Sequence, residues 1–404
     1  MKARSKRRVA VLHQGFIPVY RVRFYELLNR QSDVEYVVFH GDPPSGSAHR
    51  PAEGPFPFPQ ERVRSHELRL AGRWAIYQPA IRRVAGGGFA GLVVGEEAKF
   101  LSNLALLALF RAWGRPVVVW GSAFEKEQDL SDVGAAVASV STRVKAALAR
   151  SVGGYLAYTD GGRDRLMAAG LRPERVAVVR NTLDMNEQAA LHEELRDVDE
   201  RELRERHGLA PGSVVLLYIG RVYAEKRLEQ LVELVERLRA ERPGGPAVEA
   251  VIVGDGPALG AVRARAEGVE GVHFTGAVYD QRRVAELLRV AGAVVIPGKV
   301  GLAVNHAFAH GVPVLTRESR LHAPEVEYIE PGVSGLIVEG DFERFVAAVG
   351  EVVDSPELRR ALASGALRAR EALGLEAMAR AFDAGVRRAL DTRADRAAAA
   401  QGAI

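Results

Sequence analysis

Twice along this chain, short runs of β-branched residues alternate with helical segments, and this alternation most narrows the folds open to it. In the first half the runs are RVAVLHQ, VEYVVFH, GLVVG, PVVVWGS, GGYLAYT and RVAVVRN, with helical patterns such as Tyr20–Arg30, Leu101–Trp113 and Thr142–Ser151 between several of them. In the second half VVLLYIG leads to a helix with apolar residues at Leu228, Leu231, Val232, Val235 and Leu238, the stripe of a helix packed on a sheet. AVEAVIVG, HFTG, AGAVVIPG, PVLT and GLIV follow, separated by helices at Ala258–Ala266, Gln281–Val290 and about Leu302–His310. Strands alternating with helices predict a parallel, doubly wound α/β sheet. A chain of 404 residues also exceeds the size at which one hydrophobic core keeps growing. Two Rossmann-like domains facing a central cleft are therefore expected, with ligands bound in that cleft.

The expected boundaries follow composition. Residues 1–184 form the first domain, 185–212 a charged linker with a surface helix, and 213–374 the second domain. In 375–404, the amphipathic LEAMARAFDAGVRRAL crosses back to brace the first domain and a frayed tail follows. With no cysteine, disulfides, thiolate metal sites and a Cys nucleophile are excluded. The basic MKARSKRR leads into too short an apolar run for a signal peptide, and Leu101–Phe110 stops at Arg111, short of a spanning helix. A cytoplasmic protein is expected. Residues 1–184 hold 27 Lys+Arg against 17 Asp+Glu, and residues 185–404 hold 28 against 34. The resulting +10 and −6 suit either peripheral contact of the first half with the inner membrane face or an anionic acceptor, or simply solvated helix faces in an Arg-rich protein. No nucleic-acid partner is expected.

Two strand-to-helix turns carry the candidate chemistry. YIGRVYAEKRLEQL offers Gly220, Arg221 and Lys226, and PGKVGLAVNHAFAHGVPV offers Gly298, Lys299, Val300, Gly301, Leu302 and His306. Unpaired amides and the dipole of a helix start attract an anion, so Gly301 and Leu302 suit one end of a diphosphate. Arg221 presents a planar fork and Lys226 a point charge, a pair able to clamp phosphate oxygens without a metal. No Asp-x-Asp is placed on these loops to hold a divalent ion. The plainer alternative for Arg221 and Lys226 is a solvated helix start. In VGDGP, Gly254 is a candidate wall of the site, and Asp255 and Gly256 read as a tight turn. In the first domain the loop HQGFIPVYRVRF carries Gly15, which lets the backbone approach a diphosphate, and His13, Tyr20, Arg21 and Arg23, which are acceptor or phosphate contacts unless the loop is plain surface. Ser122, in WGSAFEKE, belongs to the same expected cleft.

Taken in order, these stretches resemble glycosyltransferase family 4, retaining enzymes of the GT-B fold. ELRERHGLAPGSVVLLYIGRVYAEKRLEQLV, VIVGDGP, VHFTGAV, GLAVNHAFAHGVPVL and PEVEYIEPGVSGLIV match the second domain of that family, and DRLMAAGLRPERVAVVRNTLD matches the segment before its linker. The likeness covers residues 150–390 well and 1–150 in outline. It implies transfer of a sugar, with retention, from a nucleoside diphosphate sugar to an acceptor hydroxyl, on a glycan, small molecule or lipid-linked carrier. No cofactor and no metal are implied, and Arg221 and Lys226 would act as the catalytic cations.

The resemblance fails at one informative place. The family carries a Glu-x7-Glu pair where this chain has Gly298 and His306, and the loop PGKVGL is shorter by about three residues. The second Glu holds the ribose hydroxyls in the family, and His306 can accept and donate there unless it simply packs in the wall. Lys299 approaches the donor or is an exposed loop lysine, and Glu325 and Glu327 are candidate replacements for the lost carboxylate. Two other readings stay open, an inactive partner subunit and a nucleotide-sugar epimerase on the same fold.

Overall fold

The computed structural model describes residues 6–12, 15–43, 51–70, 73–97, 99–123, 149–242 and 244–401. The chain divides into two compact units, Met1–Leu183 with Leu375–Ile404, and Asp184–Gly374. The first seven residues of the expected helix at Thr142–Ser151 lie outside the described residues.

The first unit contains β1 (Arg7–Leu12), β2 (Val34–His40), β3 (Gln60–Arg62), β4 (His66–Leu70), β5 (Arg73–Tyr77), β6 (Gly91–Gly95), β7 (Val117–Gly121), β8 (Gly154–Ala157) and β9 (Val176–Val178). Seven of these pair in the order β3-β2-β1-β6-β7-β8-β9, all parallel, while β4 and β5 form a separate antiparallel pair. A parallel sheet reached through helical crossovers is covered on both faces, so its inner strands are mostly apolar, while the short edge strand β3 is polar. Alternate residues supply the two cores. Val9, Val11, Val118 and Trp120 face one side with Phe24 and Phe382. Ala10, Leu12, Val117 and Val119 face the other with Phe89 and Phe110.

The C-terminal helix Leu375–Gln401 covers the first of these faces. Leu375, Met378, Ala379, Phe382, Val386 and Ala389 recur every three or four residues and are buried. The Phe382 ring lies 4.9 Å from Trp120 and 5.4 Å from Phe24. Gly385 permits this approach, since a Cβ there would stand 2.5 Å from Leu156 Cδ2. Polar contacts seal the helix: Asp383 accepts from the Tyr36 hydroxyl at 2.7 Å, and Arg7 pairs with Asp391 at 2.6 Å. The crossing expected at 375–390 is thus part of the first unit.

The second unit contains β10 (Val214–Ile219), β11 (Val248–Val253), β12 (Val272–Gly276), β13 (Ala291–Ile296), β14 (Val314–Arg317) and β15 (Gly335–Val338). Their order is β12-β11-β10-β13-β14-β15, all parallel. In sequence of appearance this is 3-2-1-4-5-6, the Rossmann arrangement. The stripe on helix Leu228–Glu241 is buried at each expected position.

One expectation changes. The stretch 185–212, read as a charged linker, is built into the second unit. Helices Met185–Glu194 and Glu200–Arg206 start on the side-chain caps Asp184 and Asp199, and both pack on helix Gln281–Val290. Met185, Leu195, Leu203 and Leu209 are buried, and the buried Glu286 carboxylate gathers Arg206 at 2.5 Å and His207 at 3.1 Å. Sparse apolar residues among many charges hid this packing. Among the described residues no helix is long and apolar enough to cross a membrane.

Truncating Phe382 leaves a cavity among three aromatic rings. Phe382→Ala is expected to lower stability by about 3–5 kcal/mol, measured as a shift of the urea midpoint; a loss under about 1 kcal/mol would contradict this packing.

Candidate functional site

In the second sheet the strand order reverses between β10 and β13, and the loops leaving these neighbouring strands separate there to form a crevice. After β10, Gly220 takes a φ of 143°, the 3-10 turn Ala224–Lys226 follows, and Arg227 sits in the left-handed region at φ 54° before helix Leu228–Glu241. After β13 the chain runs through Gly298–Leu302 into helix Ala303–Ala309. The two loops are joined. Gly298 N donates to Lys226 O at 3.0 Å, Lys299 N to Glu225 O at 2.7 Å, and Lys226 Nζ to Lys299 O at 2.5 Å.

This joint explains the glycine at 298. A Cβ there would stand 2.1 Å from Glu225 O and 2.7 Å from Lys226 C, both backbone atoms. No side chain, acidic or otherwise, fits at this position while the loops are joined. Gly254 is similarly forced, since its Cβ would meet Gly220 O at 1.8 Å. Asp255 Oδ1 accepts from Gly256 N at 2.6 Å, as in a tight turn.

Of the five backbone amides from Gly298 to Leu302, three are committed internally. Gly298 and Lys299 bond to the neighbouring loop, and Val300 N donates to His322 Nδ1 at 3.1 Å. Among the described residues, the amides of Gly301 and Leu302 have no protein acceptor. His322 escaped the sequence reading. With Nδ1 accepting, its Nε2 donates to Arg317 O at 2.7 Å, so the neutral ring ties the loop to the end of β14. Tyr218 was also missed; its hydroxyl donates to Arg221 O at 2.6 Å and orients the turn.

Two cations are held at this joint. Burial, reinforced by the nearby Lys299 charge, lowers the Lys226 pKa to about 8, with Glu325 opposing the fall. Glu325 is buried and acts on Lys226 from the 3-10 turn Pro324–Tyr328, whereas Glu327 on the same turn is exposed. The Arg221 guanidinium lies 5.3 Å from the centre of the Tyr223 ring. His306 is half-buried, its Nδ1 has no partner among the described residues, and burial pulls its pKa to about 4. His310, at the end of the same helix, pairs with Gln188 Oε1 at 3.3 Å and is pulled to about 3 by burial and by neighbouring His192, His306 and Arg370.

In the first unit the expected residues separate. His13 lies outside the described residues. Gly15 is buried, and its carbonyl accepts from Gln78 Nε2 at 3.2 Å. Arg21, expected as an acceptor contact, is instead buried at 1% exposure. It bonds Asn181 Oδ1 and lies over the Tyr20 and Trp120 rings at 5.0 Å each, so its charge is spent within the core. Tyr20 is half-buried, and Arg23 pairs with Glu26 at 2.7 Å. Ser122, at the carboxyl end of β7, donates to Glu96 Oε2 at 3.1 Å, and Ala123 N reaches the same oxygen at 3.0 Å. Glu96 was not singled out in the sequence, although an acid directly after the GLVVG strand was the available signal.

Histidines with folded pKa values below the unfolded value favour folding above pH 6.5 and disfavour it as pH falls toward 4. The melting temperature should therefore drop between pH 6.5 and 4, and His306→Gln should make the drop shallower. An unchanged slope in His306→Gln would refute the burial of a neutral ring.

Comparison with known proteins bears on the fold and on the second unit's sequence. Residues 213–355 match the family model described as glycosyl transferases group 1. D-inositol 3-phosphate glycosyltransferase of Jonesia denitrificans is 32% identical over 208 residues, 48% of this chain and 47% of that protein. The chain thus spans about half the length of the curated relatives it matches first. The fold extends further. Anabaena HepE in complex with UDP superposes with a TM-score of 0.65 at 17% identity, over 93% of this chain and 97% of that one. Sucrose-phosphate synthase of Thermosynechococcus elongatus gives 0.66 at 14% identity, over 92% and 96%. The fold is GT-B.

Proposed function

We propose that this chain, whose residues 213–355 carry a glycosyl transferases group 1 domain, is a retaining glycosyltransferase that moves a sugar from a nucleoside diphosphate sugar to an acceptor hydroxyl without a metal ion. The observation that carries this reading is the joint between the two switch-point loops. It holds Lys226 with its pKa lowered to about 8 by burial and by Lys299, next to two amides without acceptors at Gly301 and Leu302. A diphosphate relieves both conditions at once.

As the bond from the anomeric carbon to the diphosphate breaks, negative charge grows on the leaving phosphate. Arg221 and Lys226 stabilise it, and the Gly301 and Leu302 amides contact its distal oxygens. The acceptor oxygen attacks from the face the diphosphate leaves, and its proton passes to the leaving phosphate, so no separate base is required. His306, neutral at pH 7, accepts a ribose hydroxyl at its unpartnered Nδ1. Glu325, whose charge favours the ammonium form of Lys226, is the carboxylate nearest in role to the one missing at 298. Anabaena HepE is a structure with UDP, which makes uridine the first base to test. The acceptor falls to the first unit, through Tyr20, Arg23 and Ser122 with Glu96. Its basic charge, and a relative named for an inositol phosphate, favour an anionic acceptor.

The absence of room for an acid at 298 gives the inactive-partner reading its one specific support. Thermal unfolding with UDP, GDP, dTDP and ADP, each with and without EDTA, separates the readings. A midpoint rise with one nucleotide that survives EDTA is expected. Arg221→Ala and Lys226→Ala should each cut turnover at least tenfold, and unchanged turnover in both would sink the clamp. Nucleotide binding with no transfer to any acceptor would favour the partner subunit.

Because the Lys226 ammonium loses its proton above about pH 8 in the free protein, diphosphate affinity should weaken as pH rises from 7.5 to 9.5. Proton uptake on binding, seen as buffer-dependent heat in calorimetry, should accompany it, and Lys226→Ala should abolish both.

A further inference from the structure

The amino-terminal edge of the first sheet carries a cavity of about 430 Å³, within the range of small-molecule sites. Pro116 and Val117 at the start of β7, and Val152 and Gly153 just before β8, form one side of it. Arg111, Arg115 and Arg175 line it, and no carboxylate among the described residues does. All strands of this sheet run in parallel, so this edge lies opposite the one where Ser122 and Glu96 sit. Ligands of such sheets bind at the carboxyl edge, and this cavity is therefore a separate feature.

Among the described residues, the partners of Arg111 and Arg115 are a carbonyl and an aromatic ring rather than acids. Arg111 Nη1 donates to Ser151 O at 2.8 Å, the C-terminal end of its own helix lying beside it. Arg115 lies over the Trp113 ring at 5.1 Å, and its Nη1 is shielded from solvent with no acceptor among the described residues. A guanidinium offers five N–H donors, and withdrawing one from water without an acceptor is costly. In the adjoining recess Glu174 pairs with Arg172 at 3.2 Å. Several guanidinium forks converging on one cavity match the oxygen geometry of phosphate.

We propose that this cavity is a second anion site, which takes a phosphate-bearing ligand through Arg111, Arg115 and Arg175. The site is independent of the diphosphate clamp in the second unit. A soluble phosphate ester and a phospholipid head group present the same chemistry, and Trp113, 43% exposed, stands at Arg115 as an apolar neighbour for either.

The test uses the full chain carrying Lys226→Ala, so that the switch-point clamp is disabled. Inorganic pyrophosphate is titrated by calorimetry, and vesicles of phosphatidylglycerol or of phosphatidylcholine are sedimented with the protein. Binding of pyrophosphate, or of phosphatidylglycerol but not phosphatidylcholine, is expected. It should fall at least tenfold in Arg111→Gln/Arg115→Gln and be largely kept in Arg111→Lys/Arg115→Lys. The pyrophosphate arm responding alone marks a soluble ligand, and the vesicle arm alone a head group. Failure of both arms, or binding unaltered by the glutamine pair, overturns the proposal. Should the glutamine pair fail to fold, Arg115→Gln alone is read the same way. Nucleotide binding by the otherwise unmodified glutamine pair is expected to be unchanged, so the two sites are tested independently.

Discussion

A parallel sheet has two faces, and both must be kept from water; most of this molecule follows from that constraint. It makes inner strands apolar on both sides, as in β7, where every residue is buried. It also recruits the chain's last helix to the first unit, where Phe382 closes an aromatic layer with Trp120 and Phe24. Because helices occupy both faces, the strand ends remain the available places for a crevice. The reversal of strand order at β10 and β13 determines where the loops part.

At that point the backbone does much of the construction. Gly298 and Lys299 spend their amides on the preceding turn, Val300 spends its own on His322, and Gly301 and Leu302 are left with unused donors. The same joint presses Lys226 into a partly buried setting beside a second lysine. Lys299 crowds that charge, and Glu325 and Glu225 offset the effect only in part. The geometry is favourable for a polyanion, and the proposed diphosphate clamp is its simplest use. Burial of neutral His306 and His310 on the adjoining helix couples the integrity of this region to acid.

Much of this was legible along the chain. Strand runs and the stripe Leu228–Leu238 declared themselves by period, since a helix facing a sheet must repeat its apolar residues every three or four positions. The glycines, Arg221 and Lys226 announced two strand-to-helix turns, and the absent Glu-x7-Glu pair was visible by counting. Less was legible where packing reverses a local signal. Residues 185–212 carry so many charges that their few buried apolar residues did not register, although capped helices form there. Arg21 looked like a surface cation in a loop, whereas aromatic rings and Asn181 enclose it. Glu96 and His322 act through partners distant in sequence, so no spacing marks them.

By itself the sequence determined the fold class, the two-unit plan and the identity of the switch-point loops, because periodicity and turn chemistry are properties of neighbouring residues. Only the tertiary structure decided which amides remain available, why residue 298 admits no side chain, and which arginine is core and which lines a cavity. Those outcomes depend on atoms brought within a few ångströms by strands far apart in the chain. Burial, and with it the charge state of Lys226 and His306, exists only once those strands are side by side.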